Sequence, residues 1–121
     1  MPSLIVKAAP DQDLYCEWST IVDAPTFIGT RSEILDYIHA HQDSKPHAPA
    51  WERLERADEA GTSARYGKLP YAGSWDDAGF VVEQRGWLPR AKLTEFLTAY
   101  RDDNLNIAYA LLAPFDTEDA D

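Results

Sequence analysis

The chain is poor in the residues that most often carry chemistry. It has one cysteine, Cys16, so it can close no internal disulfide and build no cysteine-rich zinc site. It has no apolar run near the roughly 18 residues a membrane-spanning helix needs. Ser3 to Ala9 is too short for a signal-peptide core and lacks a basic leader, so a reducing, cytoplasmic setting is expected. Positive charge is scarce: 11 Lys and Arg stand against 21 Asp and Glu, a net charge of −10. That argues against non-specific nucleic-acid binding, which needs clustered cations to release counterions, and it disfavours an anionic membrane surface. Gly61, Gly67, Gly73, Gly79 and Gly86 form no phosphate-cradling loop with a lysine. Ser19 and Ser74 have no nucleophile-elbow context. Internal repeats and low-complexity tracts are absent.

What is present is a foldable core. A chain of 121 residues makes one domain, here 1–115, with Asp116, Glu118, Asp119 and Asp121 as a solvated acidic tail over 116–121. The hydrophobic fraction of 45% is that of a globular protein rather than a disordered one. Four Trp and six Tyr exceed what a core of this size needs, so one or two aromatics are expected on a contact surface.

The local patterns predict an α+β fold. Leu4 to Lys7 reads as an edge strand. Leu14 to Val22 alternates, with Leu14, Cys16 and Trp18 on one face and Tyr15, Glu17 and Ser19 on the other. Asp23-Ala24-Pro25 should stop it, since proline cannot donate to a ladder. Thr30-Arg31-Ser32-Glu33 fits a capping box, which opens a helix over 31–41 carrying Ile34, Leu35 and Ile38. Gln42 to Ala50 holds Pro46 and Pro49 and reads as a loop. A second helix over 51–60 has only Trp51, Leu54 and Ala57 as its apolar face, so it is placed on the surface, with Gly61 as its stop. A hairpin is expected over 71–85, with Asp76-Asp77-Ala78-Gly79 as its turn. Gly86-Trp87-Leu88-Pro89 then opens a helix over 89–102, where Leu93, Phe96, Leu97 and Tyr100 sit at i, i+3, i+4 and i+7. A last helix is expected over 105–113, with a strand as the alternative. The sheet of 14–22 and the 71–85 hairpin needs helices over one apolar face.

Candidate chemistry is thin. His39 and His41 stand two apart, which on a helix puts them on different faces, and His47 lies in the proline loop. Asp76-Asp77 and Asp102-Asp103 are adjacent carboxylates that can share a divalent ion, but adjacent Asp in a turn is more simply a turn former. Cys16 alternates with Leu14 and Trp18, which makes it a small buried residue rather than a nucleophile. No metal and no cofactor is expected, and the balance leans away from an enzyme. Trp18, Trp75 and Trp87 read first as a shared aromatic core. Trp51, Tyr71 and Trp75, with Asp76 and Asp77, are the candidate partner-binding residues, because aromatic anchors beside charge mark binding surfaces.

Longer blocks carry a resemblance. Leu14-Tyr15-Cys16-Glu17-Trp18-Ser19-Thr20-Ile21-Val22-Asp23-Ala24-Pro25-Thr26 with Gly29-Thr30-Arg31 resembles small acidic proteins of actinobacteria and their phages or prophages. Arg56-Ala57-Asp58, Gly61-Thr62-Ser63, Trp75-Asp76-Asp77, Gln84-Arg85-Gly86-Trp87-Leu88-Pro89 and Tyr109-Ala110-Leu111-Leu112-Ala113-Pro114-Phe115 continue the pattern over most of the chain. That group has no assigned activity, so the resemblance transfers no functional residue; it implies a mobile-element accessory protein rather than a metabolic one. The expected function is a non-enzymatic interaction module that binds a host protein with a basic surface, with inhibition of that protein as one form the binding can take. The alternatives are a metal-dependent hydrolase using Asp76 and Asp77 with a histidine, and a self-associating structural component.

Overall fold

The computed structural model describes residues 3–19, 22–41, 50–63, 73–75 and 79–114. Strands β1 (Ser3–Lys7), β2 (Tyr15–Ser19) and β3 (Ala24–Gly29) form an antiparallel sheet in the order β1-β2-β3. Helices α1 (Arg31–His41) and α2 (Ala50–Ala60) follow. Strands β4 (Gly79–Val82) and β5 (Gly86–Pro89) make a separate two-stranded sheet. A 3-10 turn over Arg90–Lys92 leads into α3 (Leu93–Arg101), and α4 (Leu105–Ala110) closes the described chain. The fold is α+β, as the patterns predict.

The three-stranded sheet is buried on both faces, not on one. Its alternation sends Val6, Leu14, Cys16 and Trp18 into one core with Phe80, Val82, Leu88, Leu93, Phe96 and Leu97. The other parity sends Ile5 and Tyr15 into a second core with Ile34 and Ile38 of α1 and Leu54 and Ala57 of α2. Leu54 and Ala57 are fully buried, so α2 is a wall of that second core rather than a surface appendage. Three apolar residues suffice because two of them reach the sheet. The outer edge of β1 is closed by the chain after α2: Lys7 N–H donates to Gly61 O at 3.0 Å and Ser63 N–H to Ile5 O at 2.8 Å. That cover removes an open template for strand pairing.

Some expected elements move. The strand expected over 14–22 is described over Tyr15–Ser19, with Thr20 and Ile21 outside the described residues; the chain turns through Asp23, at φ 54°, and returns as β3, where the sequence reading expected only a stop at Asp23-Ala24-Pro25. Pro25 is tolerated because β3 lies at the sheet edge and the pairing with β2 is bulged at Glu17/Trp18. The hairpin that forms is not the one expected over 71–85: Phe80–Val82 pairs with Gly86–Leu88 through the turn Glu83-Gln84-Arg85, and the described residues 73–75 form no strand. Tyr71, Asp76, Asp77 and Ala78 lie outside the described residues. Arg85 N–H donates to Val82 O at 2.7 Å, with Glu83 and Gln84 at φ 51° and 60°. Such a turn ordinarily asks for Asn or Gly, so its chemical signal was missing. Gly86–Pro89 is therefore strand, and regular helix begins at Leu93. The capping box forms as expected: Glu33 N–H donates to Thr30 Oγ1 at 3.2 Å, and Thr30 N–H to Glu33 Oε1 at 2.8 Å. Residues 105–113 form a helix only to Ala110; Ala113 then bridges Trp87.

Candidate functional site

Helix α2 carries the most distinctive surface. Leu54 and Ala57 face the core, which turns Trp51, Glu55 and Glu59 outward at i, i+4 and i+8. Trp51 is 56% exposed, more than any other described large hydrophobic side chain. Both cations of the helix turn away from this stripe. Arg53 is buried, and burial pulls its pKa down against the opposing pull of the Glu17 carboxylate. Arg56 donates Nε–H to Ser63 O at 3.1 Å and pairs through Nη1 with Glu52 at 2.9 Å. Among the described residues no cation pairs with Glu55 or Glu59. The outward face is therefore one aromatic followed by two carboxylates, spanning about 12 Å at 1.5 Å per residue.

Trp75 packs at the C-terminal end of the same helix. Its backbone N–H donates to Ala60 O at 2.9 Å and its indole N–H to Glu59 O at 2.8 Å. Both acceptors are carbonyls of the helix C-terminus, which lack partners further along the helix. The ring packs over Gly61, at φ 88°, where an added Cβ would come within 2.8 Å of both Trp75 Cε3 and Arg90 Nη2. A glycine is needed there for the left-handed conformation and for the close approach.

Arg90, only 8% exposed, holds this corner together. Its Nη1 donates to Ala8 O at 2.8 Å and Nη2 to Lys7 O at 2.7 Å, with Gly61 O at 3.4 Å. Its Nε reaches Gly73 O at 3.1 Å and Ser74 O at 3.3 Å, and the guanidinium lies 4.9 Å from the centre of the Trp75 ring. One planar fork thus joins β1, the end of α2 and the segment 73–75. Beside it lies an apolar groove of about 450 Å³. Trp75, Pro10 and Pro89 line it together with Ala8, Ala9, Ala91 and Arg90.

Of the residues nominated from sequence, the structure places Trp51 at the N-terminal end of α2 and Trp75 against the carbonyls of its C-terminal end. Trp51 is exposed and Trp75 half-buried. Tyr71, Asp76, Asp77 and His47 lie outside the described residues. His39 is exposed on α1, and Asp102 and Asp103 are exposed past α3. Among the described residues no group of three His, Cys, Asp or Glu side chains could hold a metal ion. Trp18 is core, 4.7 Å from Phe80 and 6.4 Å from Phe96 between ring centres. Cys16 is fully buried, and burial pushes its thiol up to about 12. Sequence reasoning missed Glu55, Glu59 and Arg90. The four-residue spacing from Trp51 was legible; the Arg90 contacts lie 16 to 83 residues apart in the chain and left no local trace.

Two further polar clusters tie elements together. Asp58 accepts from the Tyr15 hydroxyl and from Arg31 Nε at 3.2 Å, with Lys7 Nζ at 3.7 Å. Burial and then the Asp58 bond raise the Tyr15 pKa. Glu83 accepts from Tyr100 and Tyr109 hydroxyls, both at 2.9 Å, and from Arg85 Nε at 3.1 Å. Burial alone would raise the Glu83 pKa; these hydrogen bonds outweigh it and hold the carboxyl below its ordinary value. The Tyr100 hydroxyl is pushed up to about 12 by burial and by Glu83.

No family model, curated protein or solved structure matches this chain.

Proposed function

We propose that this protein is a non-enzymatic interaction module that binds a basic surface on another protein, in the manner of a mobile-element accessory factor that blocks the host protein it meets. One observation carries the reading: the outward line Trp51, Glu55, Glu59 on α2, where an exposed aromatic stands beside two exposed carboxylates that pair with no cation among the described residues, on a helix anchored to the core from behind and with Trp75 packed at its C-terminal end. Exposed aromatic anchors beside charge are the composition of binding hot spots, and a rigid support lowers the entropy lost on binding. A net charge of −10 speeds encounter with a cationic partner, over a screening distance of about 8 Å at physiological salt.

The test is affinity capture from host lysate with the native chain, Trp51→Ala and the double variant Glu55→Gln/Glu59→Gln, at low and high salt. A partner retained by the native chain, weakened by high salt and weakened in both variants is the expected result. Capture that ignores both variants and salt would overturn the reading.

A further inference from the structure

We infer that the groove beside Trp75 and the stripe on α2 together receive one extended segment of the partner, with basic residues at alternate positions and an apolar residue flanking them. The inference rests on the interaction reading above and names the ligand class for it.

Three observations lead there. Trp75 adjoins both: its indole N–H donates to the main-chain carbonyl of Glu59 at the end of α2, and the residue also lines the groove. The groove is apolar, built from Trp75, Pro10, Pro89 and alanines, so a leucine or proline side chain is the group it would desolvate favourably. The one cation in its wall, Arg90, is turned into the protein and donates to main-chain carbonyls, so it offers little to an anionic ligand.

Spacing sets the pattern. Glu55 and Glu59 lie four residues apart on α2, about 6 Å along the axis. An extended chain advances about 3.3 Å per residue with alternate side chains on one side. Two partner cations that meet these carboxylates therefore stand two residues apart. The apolar residue flanks them within two to four positions, once the chain has crossed Trp75. A folded basic surface would meet the carboxylates but has no reason to fill the groove.

The probe is the capped peptide Gly-Lys-Ser-Lys-Ser-Pro-Leu-Gly together with its reversed sequence, because either chain direction can satisfy the spacing. Controls replace both lysines by serine, or Pro-Leu by Ser-Ser. Binding is read on protein labelled with 5-fluorotryptophan, whose four tryptophans give separate fluorine signals; Trp51→Phe, Trp75→Phe and Trp87→Phe identify three of them and leave Trp18 as the fourth. The expected result is that one direction moves the Trp51 and Trp75 signals and leaves the Trp18 signal still. Loss of the lysines, or of Pro-Leu, each weakens binding at least tenfold. Ala91→Phe, at an exposed wall of the groove, removes the gain from Pro-Leu but not that from lysine. Equal binding with and without Pro-Leu would overturn the groove half while leaving the interaction reading standing. Binding of neither peptide direction, by a chain that still captures its partner in a stripe-dependent way, would overturn the linear-segment inference.

Discussion

Replacing Arg90 by Lys keeps the positive charge and removes the fork. In the native corner the guanidinium donates in three directions, to Ala8 and Lys7 of the β1 end, to Gly61 after α2, and to Gly73 and Ser74. A lysine ammonium is a point donor at the end of a flexible stem and can serve one of these directions at a time. The two shortest bonds, 2.8 Å to Ala8 O and 2.7 Å to Lys7 O, cannot both survive together with the Nε contacts. Hydrogen bonds to charged groups contribute about 1.5 to 3 kcal/mol each. Losing two at the lower figure destabilises the fold by about 3 kcal/mol, a large share of the roughly 5 to 15 kcal/mol of a typical domain. With an m-value of about 1.5 kcal/mol/M, the urea midpoint falls by about 2 M. At about 4 °C per kcal/mol for a chain of this size, Tm falls by about 12 °C. Paired urea and thermal melts of the native chain, Arg90→Lys and Arg90→Met measure this. An Arg90→Lys loss below about 1 kcal/mol with an unchanged m-value would refute the fork argument and leave only the charge.

Three more outcomes are expected. Gly61→Ala forces a side chain to φ 88° and into contact with Trp75 and Arg90, so it should cost about 1 to 3 kcal/mol in urea denaturation. Trp18→Ala should cost about 3 to 5 kcal/mol as a core truncation, whereas Trp51→Ala should stay within about 0.5 kcal/mol of native; a large loss at Trp51 would show that it packs rather than projects. Glu83 has a folded pKa below its unfolded value, so its contribution is full above about 4.3 and is lost as pH falls through the depressed value. Stability of Glu83→Gln measured across that acid window should fall less steeply than that of the native chain, and identical slopes would count against the Tyr100 and Tyr109 hydrogen bonds.

Local chemistry was legible where a few neighbouring residues decide the backbone. The Thr30–Glu33 box, the glycine stop at Gly61 and the Leu93, Phe96, Leu97 stripe each act within one or two helical turns, and each is present in the fold. The alternation over Leu14 to Trp18 was legible too, and it specified Cys16 as a buried, inert thiol. Pairing was not legible. Phe80–Val82 took Gly86–Leu88 as its partner through a turn of Glu83 and Gln84, residues that carry no hairpin signal, held by Asp23 O on the Glu83 N–H and by two distant tyrosines on its carboxylate. Pro25 entered a strand because an edge needs no donor on its outer side. The sequence alone thus determined an acidic α+β chain with spare aromatics and four recognisable helical segments. Only the tertiary structure decided that helices would cover both faces of the sheet, and that Trp75 would pack at the C-terminal end of the helix whose outward face carries Trp51, Glu55 and Glu59. Those outcomes depend on which distant surfaces exclude water together, a property of the assembled chain and not of any window within it.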